Sequence, residues 1–371
     1  MNKFLLACLL LSLAAGPAFA AAEPPVKIGV MGPLTGQWAS EGQDMEAIVK
    51  SLAEQFNATT RGRQVEILVG DDAGDPRTAA LAAQSLVAGG AVAVIGTYGS
   101  AITEASQDIY AEENVLQIAT GSTSIRLTEK GLPLFFRTCP RDDEQGRVLA
   151  ANVGRLGFKK AAIVHDNSSY AKGLAEEVKP LLAERKIAVV FDDAITPGDR
   201  DYNATLTKIK TTGPDVIIFT GYYPEAGLLL RQKHDMSWPV AMIGGDATNN
   251  SALVDIAGRE SASGYYFISP PGPGDLKSAK SRAFLKTYQD KNGGPPSSVW
   301  SIMAGDAFGV LAQALEAGVE ATGPALAGYL HQTLKDYDGF TGTISFNEKG
   351  DRIGDVYRLY RVERNGGFVL Q

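Results

Sequence analysis

Short apolar runs rich in β-branched residues alternate with longer amphipathic runs in the first third of the chain. The run VKIGVM precedes GQDMEAIVKSLAEQF, QVEILVG precedes DPRTAALAAQSLVAG, and AVAVIG precedes TEASQDIYAEE, after which comes VLQIA. The first member of each pair is typical of a buried strand, and the second has the period of a helix. This alternation predicts βαβ crossovers, and therefore a mostly parallel sheet with helices on both faces.

The same alternation begins again near residue 160. AAIVHD, IAVVFDDAI, DVIIFTG and PVAMIGGD are typical of strands, and AKGLAEEVKPLLAER, YNATLTKIKTT and PEAGLLLRQKH are typical of helices. Two later helical runs, SAKSRAFLKTYQDK and SIMAGDAFGVLAQALEAG, have no strands of their own, and the chain ends in GTISFNEKGD, VYRLYRV and GFVLQ. We expect two α/β units, with the Pro/Gly-rich residues 269–275 returning the chain to the first unit.

Local signals predict some helix ends. Asp75 can cap the helix that follows it, Pro76 suits the first turn, and Gly89 with Gly90 can end it. After AVAVIG, we expect the next helix to begin around Thr103.

Composition limits the classes of protein that the chain can represent. The 371 residues suggest two domains, and 44% apolar with 21% charged residues is typical of a globular protein. The formal net charge of −7 argues against a nucleic-acid partner, because such proteins normally present a basic face.

The N-terminus predicts export. The positive start MNK, the apolar run FLLACLLLSLAA and the small-x-small segment Ala18-Phe19-Ala20 form a secretory leader, with cleavage near Ala20. An uncleaved anchor is the alternative. After cleavage Cys139 is the sole cysteine, so the mature chain forms no internal disulfide.

Two loops of the first unit offer hydroxyl groups without a cationic side chain. Ser100 lies in the loop at residues 97–102, and Gly121 and Thr123 lie in the loop ATGSTS. In an open α/β sheet such loops meet beyond the carboxyl ends of the strands, where helix N-termini favour anions. Together, the two loops are suited to binding one carboxylate group of a ligand. The alternative is that these hydroxyls only cap helices.

The second unit offers a different chemistry at corresponding strand ends. Tyr170 and Tyr222 supply aromatic walls, and Asp246 supplies an acceptor for an ammonium group. Packing of the tyrosines and helix capping by the aspartate are the alternatives for each residue alone. Together they complement the donors of the first unit, and a zwitterion would satisfy both.

The sequence gives little indication of a catalytic site. The three histidines are scattered, and the sequence contains no G-x-S-x-G elbow, no G-x-G-x-x-G after a strand and no P-loop. The acidic DDAGDP misses the spacing of a calcium loop. We therefore expect no catalytic residues, no metal and no cofactor.

Several ordered motifs carry a family resemblance. VKIGVMGPLTGQWASEGQD, DDAGDPRTAALAAQSLV, VIGTYGSAITEASQDIY, AAIVHDNSSYAKGLAEEV, GYYPEAGLLLRQ and FNEKGDRIG resemble the leucine/isoleucine/valine-binding proteins of bacterial ABC importers. The resemblance spans essentially the whole mature chain. It implies a type I periplasmic-binding fold, in which two doubly wound parallel-sheet lobes are joined by three crossover segments. After a leader at 1–20, it implies an N-terminal lobe at 21–140 and 271–354, and a C-terminal lobe at 141–270 and 355–371.

The resemblance also implies a ligand set. Ser100 and Thr123 match the family's hydroxyl ligands for an α-carboxylate, and Gly121 would offer backbone groups. Asp246 lies where the family usually has a glutamate that holds the ammonium group, so the acid is one methylene shorter.

Other positions concern the side chain of the ligand. Tyr170 and Tyr222 match the family's aromatic contacts. Glu41 stands where relatives place an aromatic residue, Tyr98 where an aliphatic one is common, and Ser298 where a phenylalanine can occur. Glu41 either turns outward as a solvated charge at a helix start, which we slightly favour, or faces a polar or cationic ligand group.

The expected function is therefore that of a periplasmic solute-binding protein. It would capture an α-amino acid, branched-chain aliphatic by default or a more polar one, and deliver it to the permease and ATPase subunits of an ABC importer. We expect a monomer. An extracytoplasmic ligand sensor of the same fold and a secreted α/β enzyme are the alternatives.

Overall fold

The computed structural model describes residues 23–371, so the expected leader and its cleavage near Ala20 lie outside the described residues. The strands of this part of the chain, numbered in order, are β1 Val26–Gly32, β2 Val65–Asp71, β3 Ala93–Ile95, β4 Leu116–Ala119, β5 Phe135–Arg137, β6 Lys160–His165, β7 Ala188–Ala194, β8 Val216–Phe219, β9 Ala241–Gly244, β10 Tyr266–Ser269, β11 Tyr337–Gly339, β12 Gly342–Ile344, β13 Arg358–Val362 and β14 Phe368–Leu370. They form two large sheets and one short hairpin.

The α-helices of residues 23–371, numbered in the same way, are α1 Ala39–Thr59, α2 Pro76–Ala88, α3 Ser100–Glu112, α4 Arg126–Glu129, α5 Asp142–Arg155, α6 Ser169–Glu184, α7 Asn203–Thr212, α8 Tyr223–Asp235, α9 Ala252–Ala257, α10 Arg259–Ala262, α11 Ala279–Asn292, α12 Val299–Glu316 and α13 Gly323–Gln332. Short 3₁₀ turns occupy Asp246–Thr248 and Pro273–Asp275. Among these helices, none combines the length and the apolarity that crossing a membrane requires.

The first sheet is wholly parallel, with strand order β2-β1-β3-β4-β5. Its order reverses between β1 and β3, which are neighbours in the sheet. One face packs against α1, α12 and α13 through a large apolar core that includes Val30, Ile95 and Phe308. The other face packs against α2 and α3. The late helix α12 thus returns to the first sheet, as the sequence predicts.

The second sheet repeats this plan. Its parallel part has the order β7-β6-β8-β9-β10, with a reversal between β6 and β8, and β13 and β14 extend it as antiparallel strands. Helices α5 and α6 cover one face, while α7, α8 and α9 cover the other. The chain passes between the sheets after β5, after β10 and before β13. The fold is therefore two doubly wound α/β lobes joined by three crossover segments, as expected.

Several helix ends follow the local signals, and some do not. The Asp75 carboxylate accepts hydrogen bonds from two backbone N–H groups in the first turn of α2, and Gly89 follows its last residue. The expected start of the next helix at Thr103 is wrong, because α3 begins at Ser100. Gly99 adopts the extended conformation of an N-cap, and the small side chains at 100 and 101 allow one more turn against the buried strand end. Five helices were not predicted: α4, α5, α9, α10 and α13.

Candidate functional site

The two points where strand order reverses lie opposite each other. In open α/β sheets, ligands bind beyond the carboxyl ends of the strands at such points. The loop after β1 carries Trp38, and the loop after β8 carries Tyr222. The ring centroids of these two residues are 4.2 Å apart. The candidate site is therefore the cleft between the two lobes.

The wall formed by the first lobe presents hydroxyl and N–H groups at the start of α3. Ser100 is the first residue of that helix, and its Oγ accepts a hydrogen bond of 3.1 Å from the Ser124 backbone N–H. The Thr123 and Ser124 hydroxyls are buried and have no hydrogen-bond partner among residues 23–371. A helix N-terminus flanked by three hydroxyl groups suits a small anion such as a carboxylate.

A buried arginine supports the loop that carries two of these hydroxyls. The Arg137 guanidinium donates to the carbonyl oxygens of Ser122, at 3.2 Å, and Ser124, at 2.8 Å. It also pairs with the Asp351 carboxylate at 2.6 Å, and neither side chain is more than 2% exposed. In the same loop, a Cβ atom on Gly121 would lie 2.7 Å from the Tyr98 ring, so this position requires glycine.

The wall formed by the second lobe presents Asp246, which is 1% exposed. Its Oδ2 accepts a hydrogen bond of 2.7 Å from the Tyr357 hydroxyl, and its backbone N–H donates to Gln145 Oε1 at 2.8 Å. Burial raises the pKa of Asp246 to about 7, although the hydrogen bond from Tyr357 opposes that change. A buried carboxylate without a neighbouring cation favours a positively charged ligand group.

A second buried carboxyl group lies close to the first. Asp142, the first residue of α5, accepts a hydrogen bond of 2.7 Å at Oδ1 from Gln145 Nε2, whereas its Oδ2 has no partner within residues 23–371. Burial and the negative charge of Asp246 raise the pKa of Asp142 well above its usual range. Because two buried carboxyl groups so close together repel each other as anions, one of them retains a proton unless a cation lies beside them.

Aromatic rings complete the cleft. The Tyr222 ring centroid lies 5.3 Å from that of Tyr170 and 5.9 Å from that of Tyr98. Trp38 packs edge-on against Tyr98, with a centroid separation of 5.6 Å. A cavity of about 570 Å³ opens beside Trp38 and Tyr222, but Tyr98 and Tyr170 do not line it. The structure therefore brings Tyr98, Tyr170 and Tyr222 together at the interlobe surface.

Glu41 also lies inside the cleft. Its carboxylate is fully buried, and it accepts hydrogen bonds from Asn250 Nδ2, at 2.7 Å, and from the Ser298 hydroxyl. The favoured expectation of an outward, solvated charge is therefore wrong. Glu41 belongs to the first turn of α1, but that turn enters the interlobe surface, and Asn250 approaches it from the opposite lobe.

Other hydrogen bonds also connect the lobes. The Tyr223 hydroxyl donates to the Gln37 carbonyl at 2.7 Å, and the Ser169 hydroxyl donates to Glu104 Oε1 at 2.7 Å. Together with the Asn250–Glu41 contact, they join α1, α3 and the loop after β1 to the second lobe. The structure thus shows the two lobes in contact across the cleft.

Sequence reasoning missed several residues that shape the site: Trp38, Asp142, Gln145, Asn250, Trp300 and Tyr357. A usable signal existed for Asp142, because three consecutive acids at 142–144 are typical of a helix start. Asn250 lies four residues after Asp246 in the run GGDATNN, so the same loop after a strand could have indicated both residues. No local pattern indicates Tyr357, whose role depends on β13 joining the second sheet beside β10.

The buried Glu41 carboxyl group should make the free energy of unfolding depend on pH. Burial raises its pKa from 4.5 to about 7, so the folded chain retains a proton that the unfolded chain has released. Its contribution to the free energy of unfolding is full below the unfolded pKa and is lost as the pH rises through about 7. We expect Glu41→Gln to be more stable relative to wild type at about pH 8 than at about pH 5. Urea unfolding at both pH values measures this difference, and equal differences would contradict the assignment.

Two lobes of the same topology meet over buried hydroxyls, carboxylates and aromatic rings, and this arrangement defines a bilobal solute-binding protein. The comparison with known families agrees: the family model described as "Periplasmic binding protein" matches residues 25–367. The chain belongs to the periplasmic binding protein family.

Individual relatives are similar over nearly the full length. The Leu/Ile/Val-binding protein BraC3 of Rhizobium johnstonii is 35% identical, covering 97% of each chain. The leucine-, isoleucine-, valine-, threonine- and alanine-binding protein of Pseudomonas aeruginosa is 32% identical, covering 96% of this chain and 94% of the relative. The crystal structure of the Streptococcus pneumoniae branched-chain amino acid transporter substrate-binding protein LivJ, in complex with isoleucine, superposes with a TM-score of 0.86. It is 29% identical and covers 94% of this chain and 99% of LivJ.

Proposed function

We propose that this protein captures one free α-amino acid in the interlobe cleft and delivers it unchanged to an ABC importer. The proposal rests on one observation: the two lobes present complementary groups on opposite walls of the cleft. Ser100, Thr123 and the N-terminus of α3 offer donors on one wall, while Asp246 and Asp142 offer buried carboxylates on the other. An α-carboxylate and an α-ammonium group on one carbon satisfy both walls at once.

Each named contact has a defined role in this proposal. The ligand carboxylate lies against the Ser100 and Thr123 hydroxyls, with backbone groups of Gly121 nearby. The ligand ammonium lies against Asp246, whose orientation is fixed by Tyr357 and Gln145. Tyr170, Tyr222 and Tyr98 enclose the remainder of the ligand, and Glu41 lies on the wall that faces the ligand side chain. A branched-chain aliphatic amino acid is the default that the relatives' names support.

The proposed lobes are residues 21–140 with 271–354, and residues 141–270 with 355–371. The sheet to which each strand belongs supports these bounds. The last strand of the first sheet, β5, ends before residue 141, and in the second sheet β10 ends just before 271 and β13 begins just after 355. The hinges would lie near Arg141, Pro270 and Gly354. Hinges at element ends absorb the backbone rotation of a closing domain.

The location and partners follow from the same proposal. Export would remove the leader near Ala20 and release the chain into the periplasm as a monomer. There it would meet the permease and ATPase subunits of the importer. Relatives named as amino-acid-binding proteins of transporters support this role and support a non-enzymatic function.

Closure is testable in solution. Because the donors and the acceptors for a zwitterion lie on different lobes, we expect a bound amino acid to hold the lobes together. Small-angle X-ray scattering should show a smaller radius of gyration with saturating ligand than without it. Asp246→Asn at the same ligand concentration serves as the matched control and should retain the larger radius. An identical radius for the wild type with and without a tightly bound ligand would contradict the proposal.

A further inference from the structure

Two buried donors in the wall around the ligand side chain have no acceptor. The Tyr98 hydroxyl and the Trp300 indole N–H lack a hydrogen-bond partner among residues 23–371, and both residues are at most 2% exposed. Both rings belong to the apolar cluster that crosses the cleft and includes Tyr170 and Tyr222. Unpaired buried donors are costly and rare in native proteins, so these two indicate a polar group on the ligand.

Glu41 supplies an acceptor that is buried at the same interlobe surface. Each of its carboxyl oxygens accepts one protein hydrogen bond, from Asn250 or Ser298, and the ionised group has about four acceptor positions. The Ser298 hydroxyl oxygen also accepts from the Trp300 backbone N–H at 3.2 Å, which places Glu41 and Trp300 around one shared residue. Burial, and then the negative charge of Glu41, raise the pKa of the Tyr98 hydroxyl. We call these three side chains, all of them buried at the interlobe surface, the Glu41 wall.

Side-chain chemistries differ in how they satisfy the Glu41 wall. An aliphatic side chain leaves both donors and the spare acceptor positions unpaired. An ammonium or guanidinium group pairs with Glu41 but offers no acceptor to the Trp300 N–H. A second carboxylate accepts from the donors but is repelled by Glu41. A carboxamide offers two N–H donors and one carbonyl acceptor, and so matches all three protein groups.

We propose that the cleft selects an α-amino acid with a carboxamide side chain, of the asparagine or glutamine class. Glu41 accepts from the amide NH₂ group, and the Tyr98 hydroxyl and the Trp300 N–H donate to the amide carbonyl. The inference rests on the proposed function, because the head group must first be held by Ser100, Thr123 and Asp246. It makes Glu41, Tyr98 and Trp300 the residues that determine specificity.

Asparagine and leucine provide a matched pair of ligands, because their side chains have the same branched shape and differ in polarity. Ligand-free protein, prepared by unfolding and refolding, should be titrated calorimetrically with L-asparagine, L-glutamine, L-leucine, L-valine, L-lysine and L-glutamate. We expect asparagine or glutamine to bind at least about tenfold more tightly than the others, because sites built for hydrogen bonds reject isosteres that lack them. Equal or tighter binding of an aliphatic, cationic or acidic amino acid overturns the inference. Binding of no amino acid at all contradicts instead the proposed function.

Tyr98→Phe tests the wall itself, because it removes the hydroxyl and retains the ring. We expect this variant to lose about tenfold or more in affinity for the preferred amide while leaving leucine unchanged or bound more tightly. Glu41→Gln should change selectivity in the same direction. Glu54→Gln, an exposed position on the same helix α1, is the matched control and should behave as wild type. Equal losses for the amide and leucine in Tyr98→Phe would show that this residue only shapes the wall, and would overturn the inference.

Discussion

Replacing Asp246 by asparagine is expected to weaken amino-acid binding by about 2 to 5 kcal/mol while leaving the fold intact. The carboxylate is buried and has no cationic side chain as a partner within residues 23–371, so the ligand ammonium would be its counter-charge. The neutral amide retains the shape but removes the charge. Because the burial that raises the pKa of Asp246 also makes its charge costly, the ligand-free variant should unfold at no lower urea concentration than wild type.

Asp255→Asn is the matched control for this substitution. Asp255 lies on α9, nine residues further along the chain, and is exposed to solvent. Titration calorimetry should show wild-type affinity for this control. Unchanged affinity in Asp246→Asn as well would remove Asp246 from the site.

The second large effect concerns stability. Asp351→Ala would leave the Arg137 guanidinium buried without its carboxylate and would also remove a 3.0 Å contact with Arg141. Breaking a buried ion pair from one side costs about 3 to 5 kcal/mol, because the remaining charge is uncompensated. Since Arg137 also holds the loop that carries Ser124, we expect weaker ligand binding together with the lower free energy of unfolding.

An exposed ion pair nearby provides the comparison. Asp355 pairs with Arg147 at 2.9 Å, and both side chains are more than half exposed. Asp355→Ala should therefore change the free energy of unfolding by less than about 1 kcal/mol. Urea unfolding of both variants decides the matter. A loss for Asp351→Ala as small as that for Asp355→Ala would show that the buried pair does not stabilise the lobe.

The alternation of strands and helices could be predicted because each run carries its own period. The bounds of strand β1 and helix α2 were predicted to within a residue or two. The apolar run of β1 and the capping residue Asp75 of α2 are both signals that can be read locally in the sequence. Helix α5 was missed because its composition is polar and half of its buried positions, such as Gln145, are polar or glycine, so its apolar face is weak. The short strand β5 gives little signal of its own, and its place depends on pairing with β4.

The site was partly predictable for the same reason. Ser100, Thr123 and Asp246 follow strands directly, so their position at the carboxyl ends of the sheets follows from topology. The burial of Glu41 could not be derived, because its partners Asn250 and Ser298 lie more than 200 residues away in sequence. A helix-start acid is usually solvated. Only the approach of the second lobe makes this one part of a buried wall.

In the proposed function, the cleft recognises both charged groups of an α-amino acid. The most direct measurement is calorimetric titration of ligand-free protein with the preferred amino acid, its α-hydroxy acid analogue and its decarboxylated amine. We predict 1:1 binding of the amino acid, with each analogue at least about a hundredfold weaker, because each leaves one wall unpaired. An α-hydroxy acid that binds as tightly as the amino acid would contradict the role of Asp246 and Asp142, and an amine that binds as tightly would contradict the role of Ser100 and Thr123.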